Sequence, residues 1–299
     1  MKSEIKCTVI GDAMIDIIFP IINKKNMSCI KMGGVITTNS RLKIGGLTNI
    51  ANNLNKLGLS SSFIGKVGKD CFGNYFEAEL VKYNSYSKIS KTEKFNTGIV
   101  SAYILPNKER FFVVDRGANQ NLLENDIDFD MCRHSKYLYI SGYSFQDDHT
   151  TNTINHVLKD LSNSNVKIIF NPGAPNLAKT YKKVFKDLIK EHIDILFMNK
   201  EEANNLFGKD LENIKDHAQT LALNKIIITK GSEGSRIINE HQIIDIAPHL
   251  VENLIDTTGA GDAFASAFIY GMDKGWDDKI SGNFAAKYAS KIICNYGSS

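Results

Sequence analysis

The strongest constraint on the fold comes from an alternation that begins near residue 136. Short runs rich in apolar and β-branched residues fall at 136–141, 166–170, 193–198 and 225–229. Between them, apolar residues recur at helical spacing: Ile154/Val157/Leu158/Leu161, Tyr181/Val184/Phe185/Leu188 and Leu211/Ile214/Ala218/Leu221. Residues three or four apart share one face of a helix, whereas a continuously apolar strand must be covered on both faces. The alternation therefore predicts a largely parallel sheet between helical layers, an α/β fold.

The N-terminal half is less regular. Residues 5–10 read as a buried first strand ending at Gly11-Asp12, and 17–44 as β-ribbon or loop. Gly45-Gly46 precedes a helix with Ile50, Leu54 and Leu57, closed by Gly58 as a residue suited to left-handed backbone. A strand at 61–67, a turn at Gly68-Lys69-Asp70 and a helix bearing Phe72, Phe76, Leu80 and Tyr83 follow. Residues 97–104 and 110–114 are β-rich around Pro106-Asn107-Lys108-Glu109, a hairpin pattern. A short β segment at 234–247 and a last helix with Ile280, Phe284, Tyr288 and Ile292 complete the chain. With no repeat or linker, one domain with β insertions is expected.

Several classes are disfavoured. The net charge of +3 comes with dispersed lysines, so no nucleic-acid face is expected. The cysteines at 7, 29, 71, 132 and 294 form no C-x-x-C pair, which reads as reduced thiols in a cytoplasmic protein without a zinc site. Asp12 and Asp16 interrupt the only leader-like run, and no apolar stretch approaches the roughly 18 residues of a membrane span. The Gly-Lys pairs at 65–66 and 208–209 are followed by Val and Asp, so no P-loop is present.

Chemistry concentrates in Asp256-Thr257-Thr258-Gly259-Ala260-Gly261-Asp262, which runs into an apolar helical pattern. A small-residue turn opening a helix presents unpaired N–H groups that favour an anion. Asp262 then either caps the helix or takes part in a reaction. Four more polar clusters sit at predicted strand ends or before a helix: Gly11-Asp12-Ala13-Met14-Ile15-Asp16, Gly45-Gly46-Leu47-Thr48-Asn49, Asn199-Lys200-Glu201-Glu202 and Thr229-Lys230-Gly231-Ser232-Glu233-Gly234. Ligands of open α/β sheets bind outside the carboxyl ends of strands. Each cluster also has a purely structural reading: N-caps at Asn199 and Thr48, a tight turn at 229–234, a loop acid at Asp16.

In combination and order, these clusters resemble the ribokinase-like family, carbohydrate kinases of the PfkB type. Residues 45–58 with Gly65-Lys66-Val67-Gly68-Lys69-Asp70-Cys71-Phe72-Gly73 look like its N-terminal signature, and 256–264 like its more specific C-terminal one. Asp115-Arg116-Gly117-Ala118-Asn119 and Asn199-x-x-Glu202 also resemble family motifs. The resemblance implies a ribokinase-like three-layer fold: a central, mostly parallel sheet flanked by helices, with a small β-sheet lid from about 17–44 and 97–115, in one domain over 1–299. It implies transfer of the ATP γ-phosphoryl group to a hydroxyl.

Asp262 would be the general base and the backbone of Gly259, Ala260 and Gly261 the anion hole. Asp12, Asp16, Gly45, Gly46 and Asn49 would bind the acceptor, with Arg116 as an anion or hydroxyl contact. Asn199 and Glu202 would hold Mg²⁺ through water, and Thr229, Lys230, Gly231 and Gly234 would lie along the nucleotide. Asp256 and Thr258 resemble a monovalent-cation site, which makes K⁺ a candidate. Relatives often dimerise through the lid, so a homodimer is the candidate assembly. The expected acceptor is a sugar or sugar derivative, not named further. Gly11-Asp12-x-Met14-x-Asp16 looks more like the heptose-phosphate kinase side of the family than ribokinase, whereas Asp115-Arg116-Gly117-Ala118-Asn119 resembles ketodeoxygluconate, fructose and nucleoside kinases. The alternative is a nucleoside kinase, with Met14, Phe19 and lid aromatics stacking on a base.

Overall fold

Four strands of the second half, β8 (Tyr137–Ser141), β9 (Lys167–Asn171), β10 (Ile195–Asn199) and β11 (Lys225–Thr229), lie side by side in parallel. They follow β1 (Cys7–Ile10), β2 (Ala13–Pro20), β3 (Arg41–Gly46), β4 (Ser61–Gly68), β5 (Lys88–Thr92), β6 (Gly98–Ile104) and β7 (Arg110–Asp115), and precede β12 (Ser235–Asn239) and β13 (Ile243–Ile246). This computed structural model describes residues 4–21, 39–83, 86–105, 110–208, 223–251, 255 and 257–294. The helix expected around 211–221, the turn at 106–109 and Asp256 lie outside them. Among the described residues, the large sheet runs β13-β12-β11-β10-β9-β8-β1-β4-β5, parallel except for β12 and β13.

β1 sits between β8 and β4, and later strands are added outward on both sides. Connections leave in opposite directions there, which opens a crevice beyond the carboxyl end of β1. Gly11 and Asp12 occupy that point. A second sheet, in the order β3-β2-β6-β7, stands over the crevice, with β2 and β6 parallel and the outer pairs antiparallel. It starts at Ala13, earlier than the expected 17.

Helices cover both faces of the large sheet. Asp148–Asp160, Lys182–His192 and Lys200–Phe207 pack one apolar layer around Phe170 and Phe185. Thr48–Lys56, Cys71–Tyr83, Ala260–Asp273 and Asp278–Ile292 pack the other, around Phe63, Phe76 and Phe268. The result is the expected three-layer ribokinase-like architecture with a smaller sheet. Among the described residues no helix is long and apolar enough to cross a membrane.

Some expectations fail locally. Val184 and Ile280 are exposed, as is Tyr83. Lys182–His192 turns Phe185, Leu188 and Ile189 inward, which leaves Val184 outside their stripe. Asp278–Ile292 buries the small residues Ser281, Gly282 and Ala285 most deeply, beside the partly buried Phe284 and Tyr288. A Cβ on Gly282 would meet Ile237 Cδ1 at 2.7 Å, and one on Gly271 would meet Ser281 Oγ at 2.6 Å. Gly282 thus lets the last helix approach β12 and β13, and Gly271 with Ser281 lets it approach Ala260–Asp273. The expected Phe284 and Tyr288 pack against the same core, with the Phe284 and Tyr270 ring centres 5.8 Å apart. β5 and the helix Pro175–Thr180 were not anticipated.

Candidate active site

Gly259, in left-handed backbone at φ 75°, is the N-cap of Ala260–Asp273. Glycine carries no Cβ and adopts that conformation without strain. Asp262 is therefore the third residue of the first turn, not its cap. Its carboxylate accepts a hydrogen bond from Asn49 Nδ2 at 3.3 Å. Burial pushes its pKa up to about 6, against the lowering effect of that bond. A Cβ on Gly261 would meet nothing within 4 Å, so open space lies beside the turn. Of the three expected anion-hole N–H groups, that of Ala260 donates to the Thr257 carbonyl at 3.3 Å. Ala260 reaches an anion only by releasing this bond. Thr258 lies in the turn just before Gly259.

Asn49 comes from the helix Thr48–Lys56. Ser266 Oγ donates to the Ile50 carbonyl at 3.2 Å, which ties this helix to Ala260–Asp273, and Tyr288 Oη donates to Asn53 Oδ1 at 3.1 Å, which ties it to Asp278–Ile292. Thr48 does not cap: Leu47 is the N-cap, and Thr48 Oγ1 donates to the Gly45 carbonyl at 2.6 Å. The preceding glycines have separate reasons to be glycine. A Cβ on Gly45 would lie 2.1 Å from Asp16 Oδ2. On Gly46, which has φ +67°, it would lie 2.2 Å from the Asp12 carbonyl oxygen. The Asp16 carboxylate thus rests directly on the Gly45 backbone. Burial, then the Asp262 charge, pushes the Asp16 pKa up to about 7, and its cross-strand partner Lys43 opposes this.

Arg116 follows β7. Its Nε and Nη2 fork onto Asp12 Oδ2 and Oδ1 at 3.3 and 3.1 Å, and Nη1 meets Asp147 Oδ2 at 3.1 Å. Asp147 also caps Asp148–Asp160, its Oδ1 accepting from Thr150 N–H at 2.8 Å. Burial works against the Arg116 charge, but the two acids outweigh it and raise its pKa. Asp12 is raised chiefly by burial, with Arg116 opposing. Asp12 thus spends its carboxylate on Arg116.

These groups converge on a cavity of about 760 Å³ between the two sheets, within the roughly 300–1,000 Å³ usual for small-molecule sites. Asp12, Asp16, Gly46, Asn49, Arg116 and Asp262 line it. Met14, Val100, Phe112 and Val114 close it from the small sheet, and Tyr139, Ser141, Tyr143 and Asn171 from the strand ends. Phe19 is not part of the lining; it stacks on Tyr103 at 5.2 Å.

The expected nucleotide residues lie apart from this lining. Asn199 and Thr229 are register partners at the ends of β10 and β11. Asn199 Oδ1 accepts from Glu202 N–H, and Glu202 Oε2 accepts from Asn199 N–H, both at 2.8 Å. This reciprocal capping box satisfies the helix start, so the N-cap reading of Asn199 describes its bonds. Glu202 is buried, which pushes its pKa up to about 7 against the Asn199 hydrogen bond. Lys230 pairs with Asp245 at 3.0 Å, and Thr229 Oγ1 donates to the Met198 carbonyl at 3.5 Å. Gly231 and Gly234 both take positive φ; a Cβ on Gly234 would strike the Ile246 carbonyl, whereas Gly231 faces open space. Among the described residues, no group of three or more His, Cys, Asp or Glu could hold a metal.

The family model described as pfkB family carbohydrate kinase matches residues 4–299. The chain belongs to that family. It is similar to an uncharacterized sugar kinase of Pyrococcus horikoshii, 32% identical over 248 residues, 81% of this chain and 77% of that one. A structure of that kinase in complex with ATP superposes with a TM-score of 0.79, covering 98% of this chain and 93% of that one at 27% identity. It also resembles the 5-dehydro-2-deoxygluconokinase of Clostridium perfringens, 28% identical over 85% of this chain and 79% of the relative. An adenosine kinase from Sinorhizobium meliloti shares the fold, with a TM-score of 0.88, 20% identity, and 99% and 96% of the two chains covered. The chain is thus a PfkB-family sugar kinase, a phosphotransferase with an alcohol group as acceptor.

Sequence reasoning missed several lining residues of this PfkB kinase. Ser141 and Asn171 end β8 and β9, where the strand-end rule could have found them. Asp147 carried only a generic N-cap signature, because its partner Arg116 is 31 residues away.

Proposed function

We propose that this kinase transfers the γ-phosphoryl group of ATP to a hydroxyl of a sugar or sugar derivative, with Asp262 as the base. One observation carries the reading. A buried carboxyl with a pKa raised to about 6 stands in the first turn of a helix and lines the same cavity as Asp16. Asp262 takes the acceptor hydroxyl's proton as its oxygen bonds to the γ-phosphorus, and the β,γ-bridging oxygen leaves with ADP. The N–H groups of Gly259 and Gly261 stabilise the charge on the phosphoryl oxygens, joined by that of Ala260 once it releases the Thr257 carbonyl. Asp16 holds two neighbouring hydroxyls, a task for paired carboxylate oxygens. Closure of the small sheet over the cavity would exclude water, and the exposed apolar residues Phe111 and Val113 of β7 are the surface on which two such lids would pair.

Among the described residues no carboxylate cluster stands ready for a metal, which suits Mg²⁺ carried mainly by phosphate oxygens and water, as this ion commonly is. Bound there, Mg²⁺ would neutralise charge on the phosphates. Glu202, with Asn199, is the buried acid placed to receive its water shell. Glu202→Gln keeps an oxygen for the Asn199 N–H, so the melting temperature should not fall while the Mg²⁺ concentration for half-maximal rate rises about tenfold. Titration of Mg²⁺ at fixed ATP reads this, and an unchanged requirement would remove Glu202 from the role. Thr258, with Asp256, is the K⁺ candidate.

A second reading, a nucleoside acceptor, has support in Met14, Phe112 and Tyr143 lining the cavity. An ADP-release screen over pentoses, hexoses, ketodeoxy acids, heptose phosphates and nucleosides, with and without K⁺, separates the two. Turnover with nucleosides alone would favour the second, and turnover with none would defeat both.

A further inference from the structure

Arg116 is the one cationic side chain among the described residues lining the cavity, where it stands with Asp12, Asp16 and Asp262. A pocket for a phosphorylated or carboxylated acceptor needs a positive group with donors to spare, because charges removed from water require a partner. Arg116 is instead held by two carboxylates, forked onto Asp12 and bonded to Asp147, with only 13% of its side chain exposed. Lys43, the cross-strand partner of Asp16, is not part of the lining, and its charge acts on Asp16. Beside the aspartates the cavity offers neutral donors and acceptors, Ser141, Tyr143, Gln146, Asn171 and Asn176. These suit hydroxyl groups.

We infer that the acceptor is an uncharged polyol, and that Asp147 sets this selectivity as the second carboxylate on Arg116, which turns a balanced Asp12–Arg116 pair into a cluster with excess negative charge. The inference rests on the reading of the cavity as the acceptor site. It sets this chain apart from the phosphorylated acceptors that the Gly11-Asp12-x-Met14-x-Asp16 pattern suggested. Asp147 does not line the cavity. It acts through Arg116 and is a positioning residue.

Asp147→Asn is the informative variant, because an amide oxygen can still cap Asp148–Asp160 while the negative charge is lost. kcat/KM would be compared for matched pairs, D-fructose with D-fructose 6-phosphate and D-glucose with D-gluconate. The neutral member should lead by at least about tenfold in the wild type, since like charges brought together in a binding site cost about tenfold or more in affinity. Asp147→Asn should shrink that ratio about tenfold, and Asp147→Glu should restore it. A purely structural role would depress both members equally and leave the ratio unchanged, which would overturn the assignment of Asp147. An anionic member preferred by the wild type would overturn the acceptor class. Absence of ADP formation with all four would defeat the kinase reading alone. Acceptor class would then be decided by the shift in melting temperature with each pair: a larger shift with the neutral member supports it, and one with the anion refutes it.

Discussion

Asp262→Asn is expected to lower the rate of phosphoryl transfer at least about 10³-fold while ATP still binds, since positioned general bases contribute about 10²–10⁴-fold. The amide nearly matches the carboxylate in shape and can accept from Asn49 Nδ2 as the carboxylate does. The start of Ala260–Asp273, set by Gly259, is not altered. What disappears is the ability to take a proton. In the unsubstituted enzyme the carboxyl titrates near pH 6, and only its ionised form is a base. kcat/KM should therefore fall as pH drops through about 6 and level off above it. Single-turnover rates, with calorimetric titration of a non-hydrolysable ATP analogue, would test both parts. Turnover within a few-fold of normal, or analogue binding lost with it, would remove Asp262 as the base.

Asp16→Asn should raise the acceptor KM at least about tenfold and, at the same time, stabilise the empty protein. The pKa of Asp16 is pushed up to about 7, that of Glu202 to about 7 and that of Asp262 to about 6. An unfolded chain releases these protons near pH 4, so between about pH 4 and 7 the folded state holds protons the unfolded state has lost. Folding stability must then fall as pH rises through that window, and stay low above it. Removing one such acid should raise the melting temperature by about 2–6 °C at pH 8, with little change at pH 4. Gly45→Ala should raise the acceptor KM in the same way, because its Cβ would occupy the position of Asp16 Oδ2. It should lower the melting temperature, not raise it. Thermal unfolding of the three proteins across pH 4–8 checks this; an Asp16→Asn protein less stable at pH 8 than its parent would contradict the electrostatic account.

The sequence made the frame legible where burial on both faces writes a long apolar run. β8–β11 fell within two residues of expectation for that reason. β5 escaped because Lys88-Ile89-Ser90-Lys91-Thr92 is a half-exposed edge strand with one apolar residue of its own. The small sheet was foreseen in place but not in extent: β2 starts as soon as the turn at Gly11-Asp12 ends. At the site, the glycines and Asp262 were readable because tight turns and open space restrict residue type. The Arg116–Asp147 pairing was not readable, since nothing in either segment announces the other. Asn199 was open on paper to an N-cap and to a metal-linked role, and the hydrogen bonds display the first, with Glu202 completing a capping box.

The central place of β1 has a consequence for how the enzyme comes into being. Its four residues are synthesised well before either sheet partner, β4 from residue 61 and β8 from residue 137. Asn49 waits for Asp262 across 213 residues. Contacts so distant in sequence form slowly, and a partly made chain exposes the unpaired edges of its innermost strand to other chains. Assembly on the ribosome should therefore be late and nearly all-or-none, with ATP turnover appearing only once the helix carrying Asp262 has docked.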